Sequence, residues 1–327
     1  MNQFRRRQFL IRAGVLSVWP LASVHAQQPR LYRVGIIFLG GTYSAVIEGL
    51  RDGLRELGLE EGKQVVLHLR NVKSDVKSVA AEARGLEQEK VDLIYSVGSS
   101  VTVAAKGATN SVPIVFYAGT DPVTTGLVAR LGEPGGRLTG VYSRYNDLVP
   151  KRFELLKQLV PKMRRAVAFY NPISANAVRS VKEAHEVAHR LKVELVERKV
   201  ASVDELRAGL RALRPGDADA FFQVTDGFIV SQAQLIVDIA REKKLPSIFS
   251  SQEAAAKGAL ASYGVSYIAA GRLSAKYVQH VLLGANPAEM PVEQMDAFHF
   301  VINLKTAKSI GLTIPDSFLA RADEVIR

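Results

Sequence analysis

The sequence predicts an α/β protein made of two doubly wound parallel-sheet lobes with a ligand cleft between them. Three observations carry this expectation. From residue 31 onward, short β-branched runs alternate with amphipathic helical stretches, the pattern of a parallel sheet covered by helices on both faces. The pattern begins again after Arg144, which gives two successive units of similar size. No Pro/Ser-rich linker separates them, so the site is expected in the cleft where the two units meet.

Taken in order, 34–39 reads as a strand and 44–57 as a helix ending at Gly58. Residues 64–70 form a strand, 77–88 a helix, and 91–97 a strand bounded by Gly98-Ser99-Ser100, which opens a helix over 101–108. A fourth strand is read at 114–117. In the second unit a helix over 150–159 leads to strand 165–170, helix 175–191, strand 193–200 and helix 203–213. Strand 220–224, helix 231–243 and a short strand at 247–249 follow, and a tail from Pro291 adds a strand at 298–303 and a short helical region.

The N-terminal 26 residues read as an export signal. Arg6-Arg7-Gln8-Phe9-Leu10 is a twin-arginine pair before an apolar stretch over 13–24, and Val24-His25-Ala26 offers a small-x-small cleavage pattern. An apolar run of about a dozen residues is short of the ~20 a spanning helix needs. The mature chain is expected to start near Gln27, free in the periplasm and without a transmembrane segment. The absence of cysteine excludes a disulfide scaffold, a thiol nucleophile, Cys-ligated metal and a lipid-anchored N-terminus. The formal charge is +11, and the four arginines of the signal leave about +7 on the mature chain. Its basic residues are scattered, with no block interleaved with aromatics, which argues against nucleic-acid binding.

One stretch invites a catalytic reading. His185-Glu186-Val187-Ala188-His189 matches H-E-x-x-H, which on a helix sets two histidines one turn apart with Glu186 as a base. On a helical wheel, however, Val181, Ala184, Val187, Ala188 and Leu191 form the buried stripe and the histidines flank it. No third-ligand extension follows, so an outer helix with surface histidines is expected, and no metal or cofactor is assigned. There is no G-x-S-x-G elbow, Walker loop or complete G-x-G-x-x-G after the first strand. An enzyme is not expected.

Ligands of open α/β sheets sit outside the strand C-termini, so the polar residues there are the candidate site. They are Thr42, Tyr43 and Ser44 after the first strand, Ser99 and Ser100 after the third, and Thr120 and Asp121 after the fourth. The second unit adds Asn171 with Ser174, Thr225 with Asp226, and Ser250. Ser99 and Ser100 at a helix start suit a carboxylate, Asp121 or Asp226 an ammonium, and Tyr43 an apolar wall.

Several stretches resemble a known family. They include Gly53-Leu54-Arg55-Glu56-Leu57-Gly58 with Glu61-Gly62-Lys63, Val112-Pro113-Ile114-Val115-Phe116, and Asp121-Pro122-Val123 with Gly126-Leu127-Val128. Pro134-Gly135-Gly136 with Thr139-Gly140, and the tail from Phe300 to Lys308 with Gly311-Leu312-Thr313-Ile314-Pro315 and Arg321-Ala322-Asp323-Glu324, complete the likeness. Over residues 31–327 the chain resembles the bacterial ABC-transporter substrate-binding proteins of the family that includes tryptophan/tyrosine uptake components. That resemblance implies a type I periplasmic binding protein that closes around a small solute and delivers it to an ABC permease. By analogy, 260–263 re-enters the first lobe and brings Tyr263 to the cleft, the helix 272–283 packs on that lobe, and the tail returns to the second. Lobe 1 would then comprise 31–143 with 263–290, and lobe 2 144–262 with 291–327. The chain departs from the family at Val224-Thr225-Asp226-Gly227-Phe228, where an apolar-Pro-Asp segment is usual, and in the loop 40–44. The expectation is a monomeric, non-catalytic solute-binding protein whose solute is an amino acid or a related molecule. The alternatives are a periplasmic ligand sensor for a membrane kinase and, more remotely, a zinc hydrolase built on His185 and His189.

Overall fold

Each lobe opens with the same strand order. In a computed structural model that describes residues 30–327, the first sheet runs through β1 (Tyr32–Phe38), β2 (Val65–Asn71), β3 (Leu93–Val97), β4 (Ile114–Ala118) and β5 (Leu138–Tyr142). They lie in the order 2-1-3-4-5, all parallel, with α1 (Ser44–Glu56), α2 (Val79–Gln88) and α3 (Ser99–Ala108) as crossovers. Every residue of β3 and β4 is buried, which is why these strands read as continuous apolar runs rather than as alternation. The expected export signal over 1–26 lies outside the described residues.

The second sheet repeats the plan. After α4 (Val149–Leu159) come β6 (Arg165–Tyr170), α5 (Ala175–Arg190), β7 (Glu194–Lys199), α6 (Val203–Ala212) and β8 (Ala220–Phe222). Then follow α7 (Gly227–Ser231), α8 (Ala233–Glu242), β9 (Ser247–Ser251), α9 (Gln252–Ala256) and β10 (Ala261–Val265), with strand order 7-6-8-9-10. In β6 the two-residue period divides the core: Ala166, Ala168 and Tyr170 pack with α4 and α5, while Val167 and Phe169 pack with α6 and α8.

The tail stitches the lobes together. α10 (Tyr267–Leu282) crosses back to pack along α1, and β11 (Glu293–Gln294) pairs with β5 in the first sheet. β12 (His299–Asn303) then returns to the second sheet antiparallel to β10, followed by α11 (Leu304–Ser309), α12 (Asp316–Leu319) and β13 (Glu324–Ile326) beside β12. The chain thus passes between the sheets three times: after β5, after β10, and between β11 and β12. No helix among the described residues is long and apolar enough to cross a membrane.

Three expectations are corrected. Residues 260–263 do not re-enter the first lobe, because β10 extends the second sheet between β9 and β12 as far as Val265. The returning segment runs from α10 to β11, later at both ends than 263–290. The helix read at 231–243 is two helices, since Gln232 leaves helical geometry between α7 and α8 (φ −97°, ψ 14°).

Candidate functional site

In both sheets the order reverses beside the first strand, between β1 and β3 and between β6 and β8, and the loops at those strand ends are where ligands sit. Here the loops of the two lobes meet and enclose a cavity of about 40 Å³.

The wall from the first lobe and the crossing segments is aromatic. Tyr43 follows β1, Tyr117 lies near the end of β4, Tyr145 follows β5, and Tyr267 opens α10. The Tyr43 and Tyr267 rings stack with centroids 5.5 Å apart and planes 15° apart. Tyr117 and Tyr145 meet Tyr267 edge-on at 5.9 and 6.4 Å, and their hydroxyls share a hydrogen bond of 3.0 Å. Such ring pairs each add about 0.5–1.5 kcal/mol beyond area burial. Burial pushes all four phenols well above their ordinary pKa, so they act as neutral hydrogen-bonding groups. The position of Tyr267 depends on how closely α10 approaches α1. A Cβ at Gly271 would stand 1.9 Å from the Val46 carbonyl oxygen, so only glycine allows the two backbones to touch there. Glu253 completes the placement: its Oε1 accepts from the Tyr267 N–H (2.6 Å) and the Ser266 hydroxyl (3.1 Å).

The polar groups can be sorted by which of their bonds are already taken. Ser99 opens α3 after Gly98, whose φ of 106° favours glycine. Its Oγ accepts from the Gly119 N–H (3.1 Å) and the Thr120 hydroxyl (2.7 Å), so its own proton is left to donate toward the cavity. Ser99 and Ser100, which open α3, line the cavity, and the first N–H groups of a helix lack helical partners, which suits an anion. Ser250 donates both its N–H and its hydroxyl to Gln223 Oε1 at 2.8 Å, which leaves its oxygen as an acceptor. Asn176 donates to the Thr225 carbonyl (3.2 Å) and accepts from Asn146 Nδ2 (2.9 Å).

Asp226 is the charged group of the cavity. It caps α7, accepting from the Phe228 N–H at 2.9 Å, and its other oxygen accepts from the Asn171 N–H at 2.6 Å. It is 2% exposed and has no ion-pair partner among the described residues. Burial pushes its pKa from 3.8 up to about 6, against the pull of the N–H groups of Asn171, Phe228 and Ile229. At neutral pH it is a buried carboxylate without a cationic partner among the described residues.

Of the residues expected from the sequence, Tyr43, Ser99, Ser100, Ser174, Thr225, Asp226 and Ser250 line this cavity. Thr120 and Asp121 line instead a wider groove of about 590 Å³, which shares Ser99, Ser100, Ser174 and Asn176 with the cavity. Asp121 is a turn former there, its Oδ1 accepting from the Val123 and Thr124 N–H groups (2.8 and 3.0 Å). Thr42 is buried away from the cavity, Ser44 is exposed on α1, and Asn171 touches Asp226 only through its backbone. Tyr263 is a correction: on β10 of the second sheet its ring packs against Phe298 and Phe300, and the tyrosine at the cavity is Tyr267, beyond the crossing. Sequence reading missed Tyr117, Tyr145, Asn176 and Tyr267. A serine cap before Tyr267 was the available signal, since Ser266 accepts from the Ala269 N–H. The H-E-x-x-H stretch lies on α5 with both histidines exposed, and His185 bonds to Glu197. No group of three or more His, Asp or Glu among the described residues is arranged to hold a metal.

The lobes touch directly across the cleft. Ser74 Oγ lies 2.7 Å from Ser231 Oγ, and Gln232 Nε2 donates to Ser74 Oγ at 2.7 Å. A Cβ at Gly41 would stand 1.8 Å from the Ser231 carbonyl oxygen.

The chain is similar to known proteins over most of its length. A tyrosine-binding protein of Clostridioides difficile (strain R20291) is 31% identical over 265 residues, 81% of this chain and 76% of that protein. The crystal structure of an ABC domain in complex with L-Trp from Streptococcus pneumonia is 28% identical, covers 90% of this chain and 99% of that one, and superposes with a TM-score of 0.80. A ligand-free, open substrate-binding protein with adhesive properties from Clostridium difficile has nearly the same identity (27%) and the same coverages (90% and 99%), but a TM-score of only 0.61. The fold is that of the type I periplasmic binding proteins. The match to the family of ABC transporter substrate binding proteins extends over residues 34–326, and the chain belongs to that family.

Proposed function

We propose that this protein is the exported, monomeric solute receptor of an ABC importer, which closes its lobes around an amino acid with an aromatic side chain and presents it to the permease. The observation that carries this reading is the buried, unpaired Asp226 facing a wall of tyrosines in a cavity built by both lobes. An α-ammonium at Asp226 replaces the hydration that the carboxylate loses on burial, and an aromatic side chain extends the Tyr43–Tyr267 stack. The twin-arginine segment and the ligands named for the two relatives support the same assignment. Because second-lobe contacts form only on closure, the ligand favours the closed state by its differential affinity for it.

Thermal unfolding of residues 27–327 against the amino acids tests this. A ligand at ~100 times its dissociation constant adds about 2.7 kcal/mol, a shift of several degrees for a protein of this size. L-Tyrosine or L-tryptophan should give the largest shifts. Shifts from sugars or polyols alone would refute the amino-acid assignment.

A further inference from the structure

Behind the second-lobe wall lies a cation that none of the interactions above employs. Arg152 on α4 is 0% exposed. Its Nη2 lies 3.5 Å from Thr225 Oγ1, and its Cζ lies 5.7 Å from the centroid of the Phe222 ring. Nε and Nη1 have no partner, and no carboxylate is within ion-pair distance among the described residues. Burial lowers its pKa to about 10, so it stays charged at neutral pH. Arg152 does not itself line the cavity; it reaches the cavity through Thr225, which does. A buried guanidinium with unfilled donors is costly unless an anion meets it.

We infer that Arg152 fixes the charge the ligand must present beside Asp226: a carboxylate, received by the Thr225 hydroxyl with the guanidinium behind it. The Arg152 Nη2–H donates to Thr225 Oγ1, so the Thr225 proton is free to turn into the cavity as a donor. Thr225 and Asp226 are adjacent, and so are the carboxylate and ammonium of an α-amino acid. The pair Arg152–Thr225 and Asp226 therefore presents the two charges of one zwitterion side by side, with α3 facing the carboxylate from the other lobe. Arg152 is a positioning residue, acting through Thr225 and through its field.

This inference rests on the amino-acid reading, and the test separates the two. Calorimetric titration with L-tyrosine, L-tyrosinamide and 3-(4-hydroxyphenyl)propanoate is run on the wild type and on Arg152→Met, Arg152→Lys and Thr225→Val. The wild type should prefer L-tyrosine to its amide by roughly 30-fold or more. Arg152→Met and Thr225→Val should bring that ratio close to one by weakening the acid, with the amide little changed, and Arg152→Lys should restore most of it. Equal weakening of acid and amide would show a merely structural arginine and overturn the inference, as would a wild type indifferent to the amide. If Arg152→Met does not fold, Thr225→Val, which deletes only the hydroxyl, decides by the same ratio. Binding of the propanoate without L-tyrosine would refute the amino-acid reading while leaving the carboxylate site standing. Binding of the three probes to none of the proteins would refute both.

Discussion

The aromatic wall meets the cavity with rings that satisfy one another, whereas the face that carries Asp226, backed by Arg152, holds charges that do not. Tyr43, Tyr117, Tyr145 and Tyr267 stack, cross edge-on and share a hydroxyl bond, so that wall is complete before any ligand arrives. Across the cavity, Asp226 has no cation and Arg152 keeps two donors without acceptors. On the proposed function, the two walls have separate tasks. A preformed aromatic surface selects by shape at little ordering cost. A wall of unpaired charge gains most from a ligand that brings the opposite charges, and so supplies the drive for closure.

The strongest way to break the first wall is to disturb the helix that carries it. Gly271→Ala would force a Cβ to 1.9 Å from the Val46 carbonyl oxygen and 2.6 Å from the Leu50 nitrogen, both backbone atoms that cannot rotate away. Overpacking of this kind costs typically 1–3 kcal/mol and occasionally more, and we expect about 3 kcal/mol of stability lost in chemical denaturation. A loss under 1 kcal/mol would mean that α1 and α10 can slide apart without harm.

The second wall is broken by charge rather than by bulk. Asp226→Asn keeps the α7 cap but removes the partner of the ammonium. Affinity for L-tyrosine should fall by about 2–3 kcal/mol, 30- to 150-fold. Equal affinity in the variant would remove Asp226 from the site.

Contact between the lobes is sharpened by Gly41→Ala. The new methyl would meet the Ser231 carbonyl only when the lobes are closed, and φ of 58° adds about 1–2 kcal/mol of backbone strain in either state. We expect an affinity loss near 2 kcal/mol, with small-angle scattering showing a protein that stays open at saturating ligand. A variant that closes normally would show that the Gly41–Ser231 contact plays no part in closure.

Legibility in the sequence follows the same division. Ser99, Thr225, Asp226 and Ser250 were visible because they lie at or just beyond the C-terminal ends of strands, and strand ends in a doubly wound sheet have a fixed relation to the ligand. Tyr117 was not, because inside the apolar run of β4 a tyrosine reads as core. Tyr267 was hidden by the crossing after β10, whose place is set by pairing with β9 and β12 rather than by any local signal. β5 escaped because Thr139-Gly140 interrupts its apolar character. The glycine is nonetheless required there, since a Cβ would stand 2.1 Å from the Phe116 carbonyl oxygen of β4. Asp121 misled in the other direction: an aspartate after a strand serves a ligand or a turn, and only the geometry shows that its oxygen is taken by Val123 and Thr124.

The smallest effect, and the one that sets the two walls against each other in a single protein, is that of pH. Burial holds the Asp226 pKa near 6, above its unfolded 3.8, so the folded chain keeps this proton more tightly than the unfolded chain. The resulting stability is fully present below about pH 4 and is lost as pH rises through 6. Binding has the opposite sign, because an ammonium needs the ionised carboxylate: affinity for L-tyrosine should be flat above pH 7 and fall about tenfold from pH 7 to pH 5. Glu87 complicates any reading of total stability, since N–H groups of Ser111, Val112 and Asn110 hold it near 2, and its contribution fades as pH falls. The comparison is therefore made between the wild type and Asp226→Asn, in which Glu87 is common and only the pH slope of Asp226 is removed. The tyrosines stay neutral throughout this range, so the aromatic wall contributes nothing to the slope. A wild-type affinity that does not change between pH 7 and pH 5 would mean that the ligand's cation lies elsewhere, and that the second lobe closes by some means other than charge.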